Sequence, residues 1–366
     1  MSTQAVETAV PPLQKRKRKL VRRSAPDQSQ RIRHIVQLAF VAINLWIGAQ
    51  FFLWVRWFER GGHGWLVSRP AGVEGWLPIA GLMNLKLLLV TGQFPAVHPA
   101  AMFLLAAFLV MSVVLKKSFC GWLCPVGTAS ETLWKLGGKV FGRNFHPPGW
   151  LDQQLRGLKY LLLGFFVFVI AWMPAEAVRD FMSGPYGTIA DVKMLDFFRG
   201  IGVIGIAVLA WLVVLSVLIR NFWCRYLCPY GALMGLVSLL SPVKIRRDSE
   251  ACIDCGKCSK ACPSSLKVDQ LVQIRSVECT ACMACVASCP VENALQLALP
   301  ARKSATEAGA RWQSRVVTPR AMAAALVVIF LGLVLFARIT GHWQTHVPRD
   351  VYMQLVPHAD EVSHPM

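Results

Sequence analysis

Long apolar stretches alternate with polar segments along the 366-residue chain. Five of these stretches are almost free of charged residues, at 36–55, 100–115, 158–173, 201–219 and 321–337. A helix needs about 17–25 residues to cross a bilayer, so the shorter stretches must use flanking residues or meet a thin bilayer. We therefore predict five transmembrane helices. A weaker stretch at 77–90 contains Asn84 and Lys86 and is interrupted by Pro78, which favours a re-entrant or interfacial helix.

The first four predicted spans form two similar halves. Each half ends in a short motif directly after a span, Cys120-Gly-Trp-Leu-Cys124-Pro125 in the first and Cys224-Arg-Tyr-Leu-Cys228-Pro229 in the second, 104 positions later. We call these C-x3-C-P segments the twin motifs. Their equivalent positions indicate an internal repeat.

The same pattern divides the chain into six parts. They are a basic tail at 1–34, predicted to be disordered, a four-span membrane domain at 35–245, a segment at 246–298 with alternating apolar positions and turn residues, a linker at 299–320, the fifth span at 321–337 and a tail at 338–366. The predicted fold class is an α-helical integral membrane protein of about five transmembrane helices, with two repeated halves and an inserted α+β domain.

Composition supports a membrane protein, and the distribution of charge predicts its orientation. Apolar residues make up 55% of the chain and its mean hydropathy is +0.46, above the values of ordinary soluble domains. The net charge of +19 would suggest nucleic acid in a soluble protein, but 30 of the 39 lysines and arginines, counting Lys159 at the start of the third span, fall on the same side of the five predicted spans as the N-terminus. The positive-inside rule then places the N-terminus and every cysteine in the bacterial cytoplasm and the C-terminus in the periplasm. The basic cluster at 15–19 is better explained by anionic lipid and topology than by nucleic acid.

The twelve cysteines fall in four groups, of which two are long runs. These runs are Cys252-x2-Cys255-x2-Cys258-x3-Cys262-Pro263 and Cys279-x2-Cys282-x2-Cys285-x3-Cys289-Pro290. This is the bacterial ferredoxin spacing, in which three thiolates hold one [4Fe–4S] cluster and the fourth ligates the neighbouring cluster. The predicted ligands are Cys252, Cys255, Cys258 and Cys289 for the first cluster and Cys262, Cys279, Cys282 and Cys285 for the second. A zinc ribbon fits this spacing poorly. Disulfides are disfavoured because the predicted compartment is reducing.

The twin motifs allow three interpretations. Two thiols at i and i+4 lie on one face of a helix, so Cys120, Cys124, Cys224 and Cys228 could converge if the two halves pack together. Four soft ligands would hold a third iron–sulfur centre or another thiophilic metal. The motifs could instead be redox dithiols that exchange with a partner, or buried packing cysteines before a Pro-Gly turn.

Six of the eight histidines fall in the segments predicted outside, at His63, His98, His342, His346, His358 and His364. Loop histidines are usually solvated, and copper or haem iron is the alternative. No phosphate loop, paired carboxylates or Ser/His/Asp set occurs in a credible context, so we expect no self-contained catalytic pocket.

The span-linked twin motifs and the tandem ferredoxin runs together resemble the membrane polyferredoxins. This family includes NapH of periplasmic nitrate reductase systems, MauN, YccM and the C-terminal half of NosR, and RdxA/CcoG-type proteins of cytochrome oxidase assembly share its core. The resemblance covers residues 35–298. We expect a looser likeness to NosR-type proteins, because the sequence before the first predicted span shows no flavin-bearing domain, and to RdxA/CcoG relatives, because the sequence continues for 29 residues after the fifth predicted span.

The resemblance implies electron transfer between the quinone pool or a cytoplasmic donor and a periplasmic or membrane-bound redox enzyme. The residues themselves do not locate a quinone site. Two other functions stay open, a membrane reductase of copper or iron and a redox-sensing assembly or regulatory factor for a respiratory enzyme.

Overall fold

The computed structural model describes residues 22–24, 26–300, 302–303, 312–313 and 315–364. The first half of the chain contains α1 (Ser29–Glu59), α2 (Pro78–Thr91), α3 (Pro99–Leu115), α4 (Ser118–Trp122), α5 (Pro125–Val140), α6 (Gly149–Trp172), α7 (Ala175–Ser183), α8 (Pro185–Thr188) and α9 (Ala190–Arg199). Then follow α10 (Val203–Leu218), α11 (Pro229–Val237), β1 (Lys244–Arg247), α12 (Lys257–Ala261), α13 (Ala284–Ala287), β2 (Leu295–Ala298), β3 (Arg302–Lys303), β4 (Trp312–Gln313), α14 (Pro319–Ile339) and α15 (Arg349–Leu355). Helical turns occupy Ala71–Trp76, Trp223–Leu227, Ser238–Leu240, Val268–Gln270 and Ala359–Glu361.

All five predicted spans lie on helices, but their lengths differ. Among the described residues, α1, α6 and α14 are long and apolar enough to cross a membrane, and α9 with α10 would form a fourth span bent by 86°. Helix α3 has 17 residues and is surrounded by other parts of the protein, so most of its side chains are buried. The chain is a membrane protein with three or four candidate spans by length and composition, and the count of five stays a prediction.

One end of the helix bundle carries all twelve cysteines, and we call it the cysteine face. The Gln30 amide, at the start of α1, donates to the Cys282 carbonyl at 3.0 Å. Lys159 of α6 pairs with Glu278 at 2.5 Å. Helices α3 and α10 end directly before the twin motifs. We call the opposite end the far face, where the ends of α1 and α9 are joined by the Arg199–Glu59 ion pair at 2.5 Å.

The segment between α1 and α2 returns from the far face into the bundle. Gly72 lies against Ile47, which is near the middle of α1, and a Cβ on Gly81 would stand 2.7 Å from the Ala101 carbonyl oxygen. Glycine at position 81 therefore allows α2 to pack closely along α3. The Asn84 amide then donates to the carbonyls of Val97 and His98, both at 2.9 Å. With 14 residues, α2 is too short to cross a bilayer alone.

The cysteine-rich domain begins and ends at paired strands. Strands β1 and β2 are antiparallel, with Lys244 opposite Ala298 and Arg247 opposite Leu295, and β3 pairs with β4. The domain therefore starts at residue 244 and not at 246. The predicted linker at 299–320 is in part structured, because Val317 donates its backbone N–H to the Leu297 carbonyl at 2.8 Å.

The predicted disordered tail at 1–34 is too long, since α1 begins at Ser29. Arg33, in the predicted tail, lies inside the helix, where Glu131 neutralises its charge at 2.5 Å. Before the helix, Arg23 donates its backbone N–H to the Pro290 carbonyl at 3.0 Å. The basic cluster at 15–19 lies outside the described residues.

Candidate functional site

The twin motifs converge on one cavity at the cysteine face, which Cys120, Cys124, Cys224 and Cys228 line together. The expectation that each pair lies on one helix face is wrong. Cys120 lies in α4, whereas Cys124 has an extended ψ of 119° and is the N-cap of α5. Cys224 lies in a π-helical turn, and Cys228 is the N-cap of α11. The chain bends between the two cysteines of each pair because proline follows the second one and begins a new helix.

Both halves cap the new helix in the same way. The Cys124 sulfur accepts from the Gly127 N–H at 3.4 Å, and the Cys228 sulfur accepts from the Gly231 N–H at 3.2 Å. A Cβ on Gly127 would lie 2.4 Å from the Cys120 carbonyl oxygen, so this turn requires glycine. Two helix N-termini thus point at the cysteine cavity. Their partial positive charge favours an anionic group there.

Burial and charge decide the protonation of two of the twin thiols, Cys120 and Cys124. Burial raises the pKa of Cys120 to about 11 and that of Cys124 to about 12, and the buried Lys117 ammonium only partly offsets the effect at Cys120. Without a metal these thiols are protonated at neutral pH, so a metal must displace their protons on binding.

The donor set suits an iron–sulfur cluster, because four soft thiols line one cavity. A cubane spreads four thiolates over four irons, and the surrounding helix N-termini and Lys117 suit its negative charge.

The eight remaining cysteines line two smaller cavities. Cys252, Cys255, Cys258 and Cys289 line one, and Cys262, Cys279, Cys282 and Cys285 line the other. The loops of the two runs have left-handed residues at equivalent positions, Asp254 (φ 54°) and Gly256 (φ 66°) around Cys255 and Ala281 (φ 49°) and Met283 (φ 57°) around Cys282. Left-handed residues turn consecutive N–H groups to one side, which makes the anion-binding nests found around iron–sulfur clusters.

The second of these small cavities adjoins the twin-motif cavity. Cys282 lines both. The Trp122 indole donates to the Ala281 carbonyl at 3.1 Å, and a Cβ on Gly121 would stand 2.9 Å from the Thr280 carbonyl oxygen. The first small cavity lies at the surface, where Cys255 is exposed. The three groups of cysteines therefore form a series from the membrane to the surface of the domain.

A buried carboxylate joins the domain to the bundle at this contact. Glu278 pairs with Lys159 at 2.5 Å and with Lys117 at 3.9 Å. Burial alone would raise the pKa of Glu278, but the two ammonium groups lower it below its usual value. The carboxylate is therefore ionised at neutral pH, and it fixes the domain beside the twin motifs.

Sequence reasoning missed a buried charged cluster near the far face. Arg69 pairs with Glu74 at 2.8 Å and with Asp191 at 2.6 Å. His98, which was expected to be solvated, is fully buried with Nδ1 3.4 Å from Glu74, and Thr345 donates to the same carboxylate at 2.7 Å. Four separate segments supply these residues, so no local spacing could have revealed the cluster.

Comparison with known proteins agrees with the cysteine geometry. A family model described as "4Fe-4S binding domain" matches residues 97–144 and again 201–248, and one described as "4Fe-4S dicluster domain" matches 244–290. The chain is 52% identical over 334 residues to "Putative electron transport protein YccM" of Escherichia coli K12, covering 91% of each chain. The chain belongs to the membrane polyferredoxin family. The repeat of the first match also supports the two-half organisation.

More distant polyferredoxins share smaller parts of the chain. The methylamine utilization ferredoxin-type protein MauN of Methylorubrum extorquens is 30% identical over 217 residues, which is 56% of this chain and 66% of that one. The regulatory protein NosR of Stutzerimonas stutzeri is 26% identical over 251 residues, 65% of this chain and 33% of that one. No solved structure matches the chain. These relatives support an iron–sulfur electron-transfer role.

Proposed function

We propose that this polyferredoxin carries electrons through three iron–sulfur centres in series at the cysteine face. The ligands are Cys252, Cys255, Cys258 and Cys289 for the first centre, Cys262, Cys279, Cys282 and Cys285 for the second, and Cys120, Cys124, Cys224 and Cys228 for the third. When bound, each centre supplies reversible one-electron transfer. The observation that carries the proposal is that Cys282 lines both the second cavity and the twin-motif cavity.

The surrounding residues hold the series together and keep water away from its inner end. Trp122 is fully buried between the bundle and the domain, with its indole N–H satisfied by a carbonyl. The Glu278 carboxylate, between Lys117 and Lys159, lies beside Cys279. A fixed charge there stabilises one oxidation state of the second centre over the other, which is how polar neighbours set the potential of a cluster.

The proposed route runs between the quinone pool or a cytoplasmic donor and a membrane-bound or periplasmic redox enzyme. The exposed Cys255 marks the end at which a soluble partner would exchange electrons. The 30 lysines and arginines on the side of the N-terminus favour a bacterial inner membrane with the cysteine face in the cytoplasm and the tail at 338–366 in the periplasm.

Steady-state turnover tests this function. Full-length protein, purified anaerobically with its iron and returned to lipid vesicles, is expected to oxidise a quinol or a reduced cytosolic carrier over many turnovers when an electron acceptor is present. A redox-sensing factor would be reduced once per chain and then stop. Thiol-dependent reduction of added copper or iron ions, without turnover of either carrier, would instead support a metal reductase and overturn the proposal.

A further inference from the structure

Two adjacent lysines, Lys116 and Lys117, follow α3 and are both buried. The Lys117 ammonium faces Glu278, which also pairs with Lys159. The Lys116 side chain is fully buried, and its ammonium has no hydrogen-bond partner among the described residues. An unpaired ammonium away from water is costly, so Lys116 requires a negative charge that the carboxylates of the chain do not supply.

The backbone holds Lys116 in a conformation that lysine rarely adopts. Its φ of 62° and ψ of −171° belong to a region that is populated mainly by glycine. The Lys116 N–H donates to the Ser241 hydroxyl oxygen at 2.9 Å, and that hydroxyl donates to the Val114 carbonyl at 3.1 Å. These contacts join the end of α3 to the segment before β1. Backbone strain of this kind concentrates at functional sites, which indicates a role for the lysine side chain.

The charge opposite Lys116 comes from Cys279, a predicted ligand of the second centre. Cys279 is the main negative group that acts on the Lys116 ammonium, and Lys244 adds a weaker repulsion. In return, Lys116 is the largest charge that acts on the Cys279 thiolate, ahead of Cys282 and Lys117. The unpaired ammonium therefore lies on the side of the second centre that Cys279 forms.

The internal repeat brings a second cation to the same centre. Arg220 lies 104 positions after Lys116, at the equivalent place before the second twin motif. The main attracting charge at Arg220 is Cys262, another predicted ligand of the second centre. Unlike Lys116, Arg220 is only partly buried, and its guanidinium donates to the Lys260 carbonyl at 2.8 Å. Each half of the membrane domain thus supplies one cation to this centre, and Lys116 is the one that is shielded from water.

We infer that the Lys116 ammonium is the counter-ion of the second centre and raises its reduction potential. One-electron reduction adds a negative charge to the centre, and a buried cation beside it stabilises the reduced state more than the oxidised state. Net charge and solvent exposure are among the factors that set the potential of an iron–sulfur cluster. Lys116 therefore makes the middle centre of the series easier to reduce. This inference rests on the proposed function and names the residue that adjusts one of its potentials.

A redox titration of the anaerobically purified full-length protein, with dithionite as the reductant and electron paramagnetic resonance as the signal, tests the inference. Lys116→Met keeps a long side chain and removes the charge, so the ratio of reduced to oxidised second centre at a fixed potential should fall ~10-fold or more. A tenfold fall corresponds to a shift of about 59 mV for a one-electron couple. Lys116→Gln should give the same fall, and Lys116→Arg, which keeps the charge, should stay near wild type. Iron content should be unchanged in all three variants.

Control variants assign the shift to one centre and to one charge. The signal that shifts should be one that Cys255→Ser and Cys124→Ser both retain, because those changes are expected to remove the first and third centres. Lys193→Met, which removes a lysine that donates to the Ala359 carbonyl in the C-terminal tail, should leave every potential unchanged. Arg220→Met should give a smaller shift than Lys116→Met, because water screens a partly buried charge. Full iron with unchanged potentials in Lys116→Met and Lys116→Gln, or an equal fall in Lys116→Arg, would overturn the inference and leave the proposed function intact. Wild-type protein without reducible iron would contradict the proposed function instead.

Discussion

Replacement of any one twin cysteine by serine should abolish electron transfer to or from the membrane. The four thiols share one cavity, so losing one ligand compromises the whole centre. Changes to residues that hydrogen-bond the ligands of a metal already lower metal affinity or activity ~10- to 100-fold. Loss of a ligand itself should have a larger effect. We expect turnover to fall by more than about 100-fold and iron to fall by about four per chain. Iron analysis and quinol-dependent turnover of the four variants measure this.

The ferredoxin centres provide the control for these variants. Each twin-motif variant should stay brown and be reduced by dithionite, because the other eight cysteines, predicted to ligate the two ferredoxin centres, line two further cavities. Cys255→Ser, at the exposed end, should instead remove the first centre and spare the twin-motif iron. A dithiol mechanism predicts that only the attacking cysteine of each pair is indispensable for the first exchange. Full electron transfer in all four serine variants would make the twin cysteines packing residues.

Reporter fusions along the chain should give all-or-none signals that alternate between the two sides of the membrane. Fusions after Arg33, Gly127, Pro185, Pro300 and His358 are expected inside, inside, outside, inside and outside. Among the described residues, α1, α6 and α14 are long and apolar enough to cross a membrane and α9 with α10 form a bent fourth candidate, so the side of each fusion stays a prediction. An outside signal after Gly127 or Pro300 would mean that α2 crosses the membrane or that charge does not set the orientation.

Local pattern was enough to locate most helices and the cysteine runs. The apolar stretches at 36–55, 158–173 and 321–337 became α1, α6 and α14, because a long apolar stretch has few other stable conformations in a membrane. The tandem runs and twin motifs are specific enough to indicate the family by their spacing alone, and the family-model matches confirm that identification. Which cysteine ligates which centre stays a prediction.

Long-range packing was beyond the sequence. The i, i+4 spacing of Cys120 and Cys124 suggested one helix, but the following proline starts a new helix with Cys124 as its cap. The start of α1 was placed too late because a charged residue, Arg33, is buried through a partner 98 positions away. The burial of His98 likewise depends on Arg69 and Glu74, which reach it only after the returning segment folds back.

The twin-motif cavity could not be predicted from local sequence either. Its walls come from α1, the returning segment, α3, α14 and both twin motifs, and these elements are distant in sequence.

Metal analysis of the anaerobically purified full-length protein tests the central claim most directly. Three [4Fe–4S] centres predict about twelve irons and as many acid-labile sulfides per chain, of which about eight belong to the ferredoxin domain. A broad absorbance near ~400 nm should bleach on reduction with dithionite. Stoichiometric zinc with little iron would contradict the account.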